Sequence, residues 1–430
     1  VLVVSLLAVP SVMAFQNWDD HDRSGKYTAI AMAKQYLDSC APNAILYTIG
    51  DNDTFPLWYA QEIEGYRTDV KLCCTSLLMT DWYIDQMKNK TYDSEGLDIT
   101  FEHNQYVGDN RDGILFSKQT ENRWDLKSFI AFAKSETNLV EMESGKMLHY
   151  LPTNKVRIPI DKAQIIKNKV VNSKFNDSIV PYIDIDISGS VLYKNRLIML
   201  DVLANNNWKR PIYFSPGSFG DDDYLWMKEF LQLEGMVYKL VPVRTPLAKD
   251  ASQMDMGQID SEIMYNKVMK WDWGNSESNR IYHDPETRRN SITYRMNLSR
   301  LMNQLIKEGK KEKAKNVIDL AMTKMPVDKF DYYSLVDPFA EGYYKVGEKE
   351  KAQQLLTQLI GKYTEDLNYY SQLSATEQID IATEIITAIE RYRGLLEIMK
   401  ENGDLAFYNQ SKKVLNTYIS VFERFGREKE

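Results

Sequence analysis

Two acidic stretches hold the residue types that could do chemistry. The first is Asp51-Asn52-Asp53, which follows the apolar run Ala44-Ile45-Leu46-Tyr47-Thr48-Ile49 and its break at Gly50. The second is Asp19-Asp20-His21-Asp22-Arg23. Hard divalent cations prefer oxygen ligands, so Asp51 and Asp53, joined by Asp19 or Asp22, make a candidate metal site. The same residues suit an Asp/Asn turn in which Asp53 or Thr54 caps the next helix, and this simpler role is preferred. Residues 19–22 have the same two readings. Trp58 and Trp82, the latter beside Asp81, could stack on sugar faces, although aromatic residues at helical spacing more often fill a core. His103, His149 and His283 are scattered and show no zinc spacing. There is no Gly-x-Ser-x-Gly, phosphate loop or dinucleotide fingerprint.

The elements that must position these residues follow from periodicity. The run 44–49 has the length and composition of a buried strand. Pro56 suits the first turn of a following helix, with Leu57, Ala60 and Ile63 as its apolar face and Gly65 at its end. A second buried strand is expected over 70–77, and Thr80-Asp81-Trp82-Tyr83 opens another short helix. Strand, helix, strand in this span is a βαβ unit with parallel strands and a right-handed crossover. Ligands in such sheets sit beyond the carboxyl ends of the strands, where Asp51, Asn52, Asp53, Ser76, Thr80 and Asp81 fall. A helix over 27–39 should pack antiparallel to the first strand, which places residues 19–23 near Asp51 and Asp53.

The chain has 430 residues, 43% hydrophobic and 27% charged, enough for two or three domains. A net charge of −8 argues against a general nucleic-acid binder. Cys73 and Cys74 are adjacent in a predicted strand and are read as core thiols, not as part of a disulfide framework. Residues 1–15 are apolar and uncharged, without the basic start of a signal peptide, and are read as the end of a transmembrane helix with Trp18 at the interface. Residues 15–19 can span only about 14 Å, so the acidic end of the α/β unit is expected to face the membrane.

Further along, residues 89–122 read as an insertion with a short strand over 113–116. A helix is expected over 125–134, paired strands or a hairpin over 146–160, a short helix over 162–169, a strand over 179–187 and a helix over 191–204. A strand then ends at Pro216-Gly217. Asp221, Asp222 and Asp223 signal a helix over 222–233, and a last strand spans 236–243. From about residue 290 the pattern is purely helical. Gly309-Lys310-Lys311-Glu312-Lys313-Ala314 is echoed by Gly347-Glu348-Lys349-Glu350-Lys351-Ala352, 38 residues on, a little above the roughly 34 of a tetratricopeptide repeat. A third pair hinges at Gly403. The expected fold is α/β, with a Rossmann-like mostly parallel sheet, followed by an all-α region of tetratricopeptide-like hairpins. Its parts are 1–15, 16–244, a connection over 245–289, and 290–430.

Three ordered stretches resemble a known family: Phe15-Gln16-Asn17-Trp18-Asp19-Asp20-His21-Asp22-Arg23-Ser24, Gly50-Asp51-Asn52-Asp53-Thr54-Phe55-Pro56-Leu57-Trp58-Tyr59 and Leu77-Leu78-Met79-Thr80-Asp81-Trp82-Tyr83. They look like a large Bacteroidetes family of multispanning inner-membrane proteins of unknown function. That family is grouped with protein O-mannosyltransferase-like enzymes, including the eukaryotic one that modifies plexin-type receptors. Asp51-Asn52-Asp53 also resembles the Asp-x-Asp turn of nucleotide-sugar glycosyltransferases. The resemblance covers about residues 15–244. It implies a periplasmic domain attached to a membrane helix, a lipid-phosphate-sugar donor, and a catalytic acid upstream of Val1, so no catalytic residue transfers to this chain. Asp177-Ser178-Ile179 fits the acceptor pattern of Bacteroidetes O-glycosylation, but an ordinary loop serine is the preferred reading. The implied role is to position an acceptor or partner over the membrane active site. An anchored scaffold without chemistry and a separate metal-dependent site at Asp51 and Asp53 remain as alternatives.

Overall fold

A computed structural model describes residues 2–142, 145, 147–217 and 220–423, with backbone alone at Asp19 and Asp20. Contacts divide the chain into two units, residues 27–274 and residues 1–26 with 275–430. The chain begins with α1 (Leu2–Gln16) and α2 (Trp18–His21). The α/β unit then runs α3 (Thr28–Ser39), β1 (Ile45–Thr48), α4 (Asp51–Glu62), β2 (Lys71–Cys74) and α5 (Asp81–Lys88). Next come β3 (Gly113–Phe116), β4 (Trp124–Asp125), α6 (Leu126–Lys134), β5 (Leu139–Glu141), β6 (Met147–Leu151), β7 (Lys155–Pro159) and α7 (Lys162–Lys167). It finishes with β8 (Tyr182–Asp186), β9 (Val191–Tyr193), α8 (Lys194–Asn206), β10 (Ile212–Phe214), β11 (Leu231–Glu234), β12 (Val237–Leu240), β13 (Gln258–Ile259) and α9 (Ser261–Val268).

The main sheet has the order β13-β11-β12-β10-β1-β2. Every residue of β1 and β2 is buried, as expected of strands covered on both faces, and the Lys71 that opens β2 donates to the Asn89 carbonyl at 2.7 Å. β2, β1 and β10 are parallel, in the register Ile45 to Lys71 and Ile45 to Ile212. β12 and β11 add an antiparallel pair across Gly235, so the sheet is mixed. The chain leaves β1 through α4 to β2 and later returns past β1 to β10. The direction of winding therefore reverses between β1 and β10. Cys73 and Cys74 are buried and unpaired, as read.

Four expectations are corrected. The helix after β1 begins at Asp51, so Pro56 lies inside it and the acidic residues form its first turn. Of its expected apolar face, Leu57 and Ala60 are buried but Ile63 is 70% exposed. Gly65, at φ +61°, does close the helix, with the Tyr66 N–H reaching the Ala60 carbonyl at 2.9 Å. The strands over 146–160 do not pair with each other. β6 joins β3 and β5 while β7 joins β4 and β8, because Asn154 between them is tied to Ile187 by both its backbone carbonyl (2.9 Å) and its side-chain amide (2.7 Å). Finally, no helix fills 222–233. Leu225 and Trp226 are successive left-handed residues (φ +51° and +59°), a conformation that stops a right-handed helix. Single 3₁₀ turns and then β11 replace it.

The helical unit continues with α10 (Pro285–Lys307), α11 (Lys311–Lys324), α12 (Asp337–Val346), α13 (Lys349–Ser371), α14 (Ala375–Asp380), α15 (Ala382–Glu401) and α16 (Leu405–Val421). α10 packs on α11, α12 on α13 and α15 on α16. The three turns place Gly309, Gly347 and Gly403 at φ +75°, +95° and +73°, where a Cβ would strain the backbone. Ala314, Ala321 and Ala352 are fully buried, consistent with close helix approach at small residues. α1 has no buried residue, and Leu2, Val3, Leu6, Leu7 and Phe15 stand exposed. Among the described residues no helix is long and apolar enough to cross a membrane.

Candidate functional site

The reversal point between β1 and β10 is where open α/β sheets present a crevice. Here Ile49, Gly50, Asp51, Asn52, Asp53, Pro216 and Gly217 line an open cleft of 530 Å³. One wall is the first turn of α4. Gly50 is its N-cap and supplies no side-chain acceptor, so the amides of the first turn point outward without the usual cap. The turn is held from below instead. The Thr54 hydroxyl donates to the Gly50 carbonyl at 2.7 Å and meets the Thr48 hydroxyl at 2.6 Å. Ser76, at the exit of β2, donates to the Ile49 carbonyl at 2.7 Å.

The opposite wall follows β10. The Ser215 hydroxyl donates to Asp53 at 3.0 Å, linking the two strand exits. Burial raises the Asp53 carboxyl above its ordinary range, and the Ser215 hydrogen bond partly offsets this. Asp51 and Asn52 are exposed. The Gly217 N–H donates to the Tyr224 hydroxyl at 2.9 Å. A Cβ at Gly217 would lie 2.3 Å from Ile49 Cδ1 and 2.8 Å from Asp223 Oδ2, so any side chain here would displace one or both of them. Behind it, Arg196 from the first turn of α8 reaches Asp222 at 3.1 Å and Asp223 at 3.0 Å.

The cleft thus offers bare helix amides, two carboxylates and a carboxamide. Such a set matches hydroxyl-bearing ligands, which both give and accept hydrogen bonds. Its lining contains no cationic side chain to meet a phosphate. Among the described residues no three His, Cys, Asp or Glu side chains gather where they could hold a metal ion. Asp51 and Asp53 alone would leave most of a divalent cation's six or more oxygen positions to water or ligand.

Asp51, Asn52 and Asp53 are therefore brought together, while Trp58, Asp81 and Trp82 do not line this cleft. Trp58 stacks on Phe55 at 5.4 Å, one turn along α4. Asp81 accepts the Gly108 N–H at 3.2 Å and the Trp82 N–H at 2.7 Å, and these bonds hold its carboxyl below the ordinary range. Trp82 is 54% exposed and meets Tyr83 edge-on. Asp22 and Arg23 belong to the other unit and are engaged there. Asp22 accepts the Ser24 N–H at 2.8 Å, and Arg23 pairs with Asp284 at 2.9 Å. His21 Nδ1 lies 2.9 Å from the Asn17 carbonyl, and the Asp19 side chain lies outside the described residues. Ser215 and Arg196 were not singled out by sequence, and Asp223 was read only as part of a helix signal. The one available signal was Pro216-Gly217 closing a strand.

Residues 29–263 match a family model described as TMEM260-associated domain 2, which spans the whole cleft. No curated protein and no solved structure matches the chain. Since the match takes in more than half of the chain, the protein belongs to the TMEM260-associated domain 2 family.

Proposed function

We propose that this chain is the extracytoplasmic, periplasmic part of a membrane protein-glycosyltransferase-like system that uses a lipid-linked sugar, and that it positions an acceptor or partner over the membrane active site. The observation that carries the reading is the acidic cleft between β1 and β10, which offers carboxylates and a carboxamide to hydroxyl groups and no cation to a phosphate, in what we take to be a Rossmann-like sheet. The family name, which associates the domain with TMEM260, and the three stretches resembling protein O-mannosyltransferase-like proteins of Bacteroidetes support the same reading. The exposed apolar side chains all around α1, with Trp18 next in sequence, favour attachment at an inner membrane. The tetratricopeptide-like hairpins then serve to hold the partner. In this account the chain orients substrate and supplies no catalytic residue.

The test is a glycoprotein profile of cells carrying the full-length protein with Asp51→Ala and Asp53→Ala, with folding checked by protease resistance. The account expects lost or depleted glycans on a folded protein. An unchanged profile would leave these residues as acids that only favour the positive end of α4. It would favour a second reading, an anchored scaffold without chemistry, for which an open groove between α11 and α13 of the helical unit speaks.

A further inference from the structure

A second recess lies wholly within the helical unit, an open groove of 510 Å³ between α11 and α13, the second helices of consecutive hairpins. Its origin is legible in the connection. The turns inside the hairpins are short, whereas residues 325–336 separate α11 from α12 and spread the two hairpins apart. This connection is held in place by Arg295, fully buried on α10. Its guanidinium donates to the carbonyls of Met325 (3.2 Å), Phe330 (3.4 Å), Asp331 and Tyr332 (3.4 Å). Lys329 adds a bond to the Glu277 carbonyl at 2.6 Å. The loop side of the groove is therefore pre-organised, which lowers the entropic cost of binding there.

The groove's chemistry is specific in three respects. Its apolar part is Met322, Val327 and Leu355. Its polar edge is Gln354 and Gln358, exposed and with no hydrogen-bond partner among the described residues. These carboxamides are one helical turn apart, a rise of about 6 Å. Alternate residues of an extended chain repeat at about 6.6 Å, so each carboxamide can give and accept a hydrogen bond at every second peptide group. Its charge is slightly negative. Lys351 is neutralised by Asp319 at 2.7 and 2.9 Å, while Asp328 remains 76% exposed with Lys362 at 3.6 Å.

We propose that this groove binds an extended polypeptide segment of a partner protein, neutral to basic in charge, with an apolar side chain over Met322, Val327 and Leu355. The inference rests on the partner-holding part of the proposed function and is independent of the α/β cleft. It is tested by selecting a phage library of random linear heptapeptides on the full chain, then titrating and photo-cross-linking the enriched synthetic peptides. The expected peptides alternate apolar residues, carry no net negative charge and cross-link to α11 or α13. Gln354→Ala with Gln358→Ala, at exposed positions that leave the fold intact, should weaken them by roughly tenfold or more. Asp51→Ala should leave their affinity unchanged. Peptides that bind elsewhere on the helical unit, or that tolerate the double substitution, would overturn the groove while leaving partner-holding in place. Failure to enrich any peptide that cross-links to the helical unit would contradict both.

Discussion

Asp51-Asn52-Asp53 and Asp221-Asp222-Asp223 look alike in sequence: both follow a strand, and both signal the positive end of a helix. They have opposite fates. The first does begin a helix, and its charges meet few partners beyond the Ser215 hydroxyl. The second begins no helix, and its charges are engaged by Arg196 and Lys228, the latter 2.8 Å from Asp221. The contrast separates acids that build a wall from acids that line a recess.

The largest effect should come from the wall. Arg196→Met would leave Asp223, 11% exposed, as a nearly buried charge without its arginine. Loss of one member of such a pair costs about 3 kcal/mol, readable as a lower urea midpoint. Gly217→Ala should come next, at about 1–3 kcal/mol, since the new methyl meets Ile49 and an Asp223 pinned by Arg196. An equal response from Ala variants at Gly217 and at Gly347, where only φ is at stake, would break the comparison.

Asp53 gives a smaller, pH-dependent effect. Its folded carboxyl titrates above the unfolded value, so the folded state binds the proton more tightly. Its contribution favours folding below the unfolded pKa of about 3.9 and turns against folding as pH rises toward the folded value. Asp53→Asn should therefore stabilise the protein at neutral pH by up to about 1 kcal/mol and steepen the acid limb of a pH–stability curve, because the opposing titration of Asp53 is removed. Asp51→Asn, at an exposed position, should shift stability by less than about 0.5 kcal/mol. If it destabilised as strongly as Arg196→Met, Asp51 would be a structural acid like Asp223.

The sequence was most readable where the determinants are local. The uninterrupted apolar run before Gly50 made β1 plain, and the Gly-x4-Ala echo located two of the three helical turns. What it hid depends on distant partners. Nothing near Asp221 reveals that Arg196 will meet its neighbours, or that Leu225 and Trp226 turn left-handed. β11 was missed because its Gln232 and Glu234 are polar yet buried. Tyr213, at 2.9 Å, and Lys267 satisfy Glu234 from other elements. The Ser215 wall escaped for the same reason: its role exists only once β10 lies beside β1.

The most direct test of the central claim is a photo-cross-link from the cleft itself. Asn52 is exposed on the cleft wall, so a photoreactive phenylalanine analogue can replace it in cells carrying the full-length protein without touching the fold. The account predicts adducts that carry sugar or a glycan acceptor, and that are lost from folded protein carrying Asp51→Ala and Asp53→Ala. Adducts free of both, or the same adducts in that variant, would contradict it.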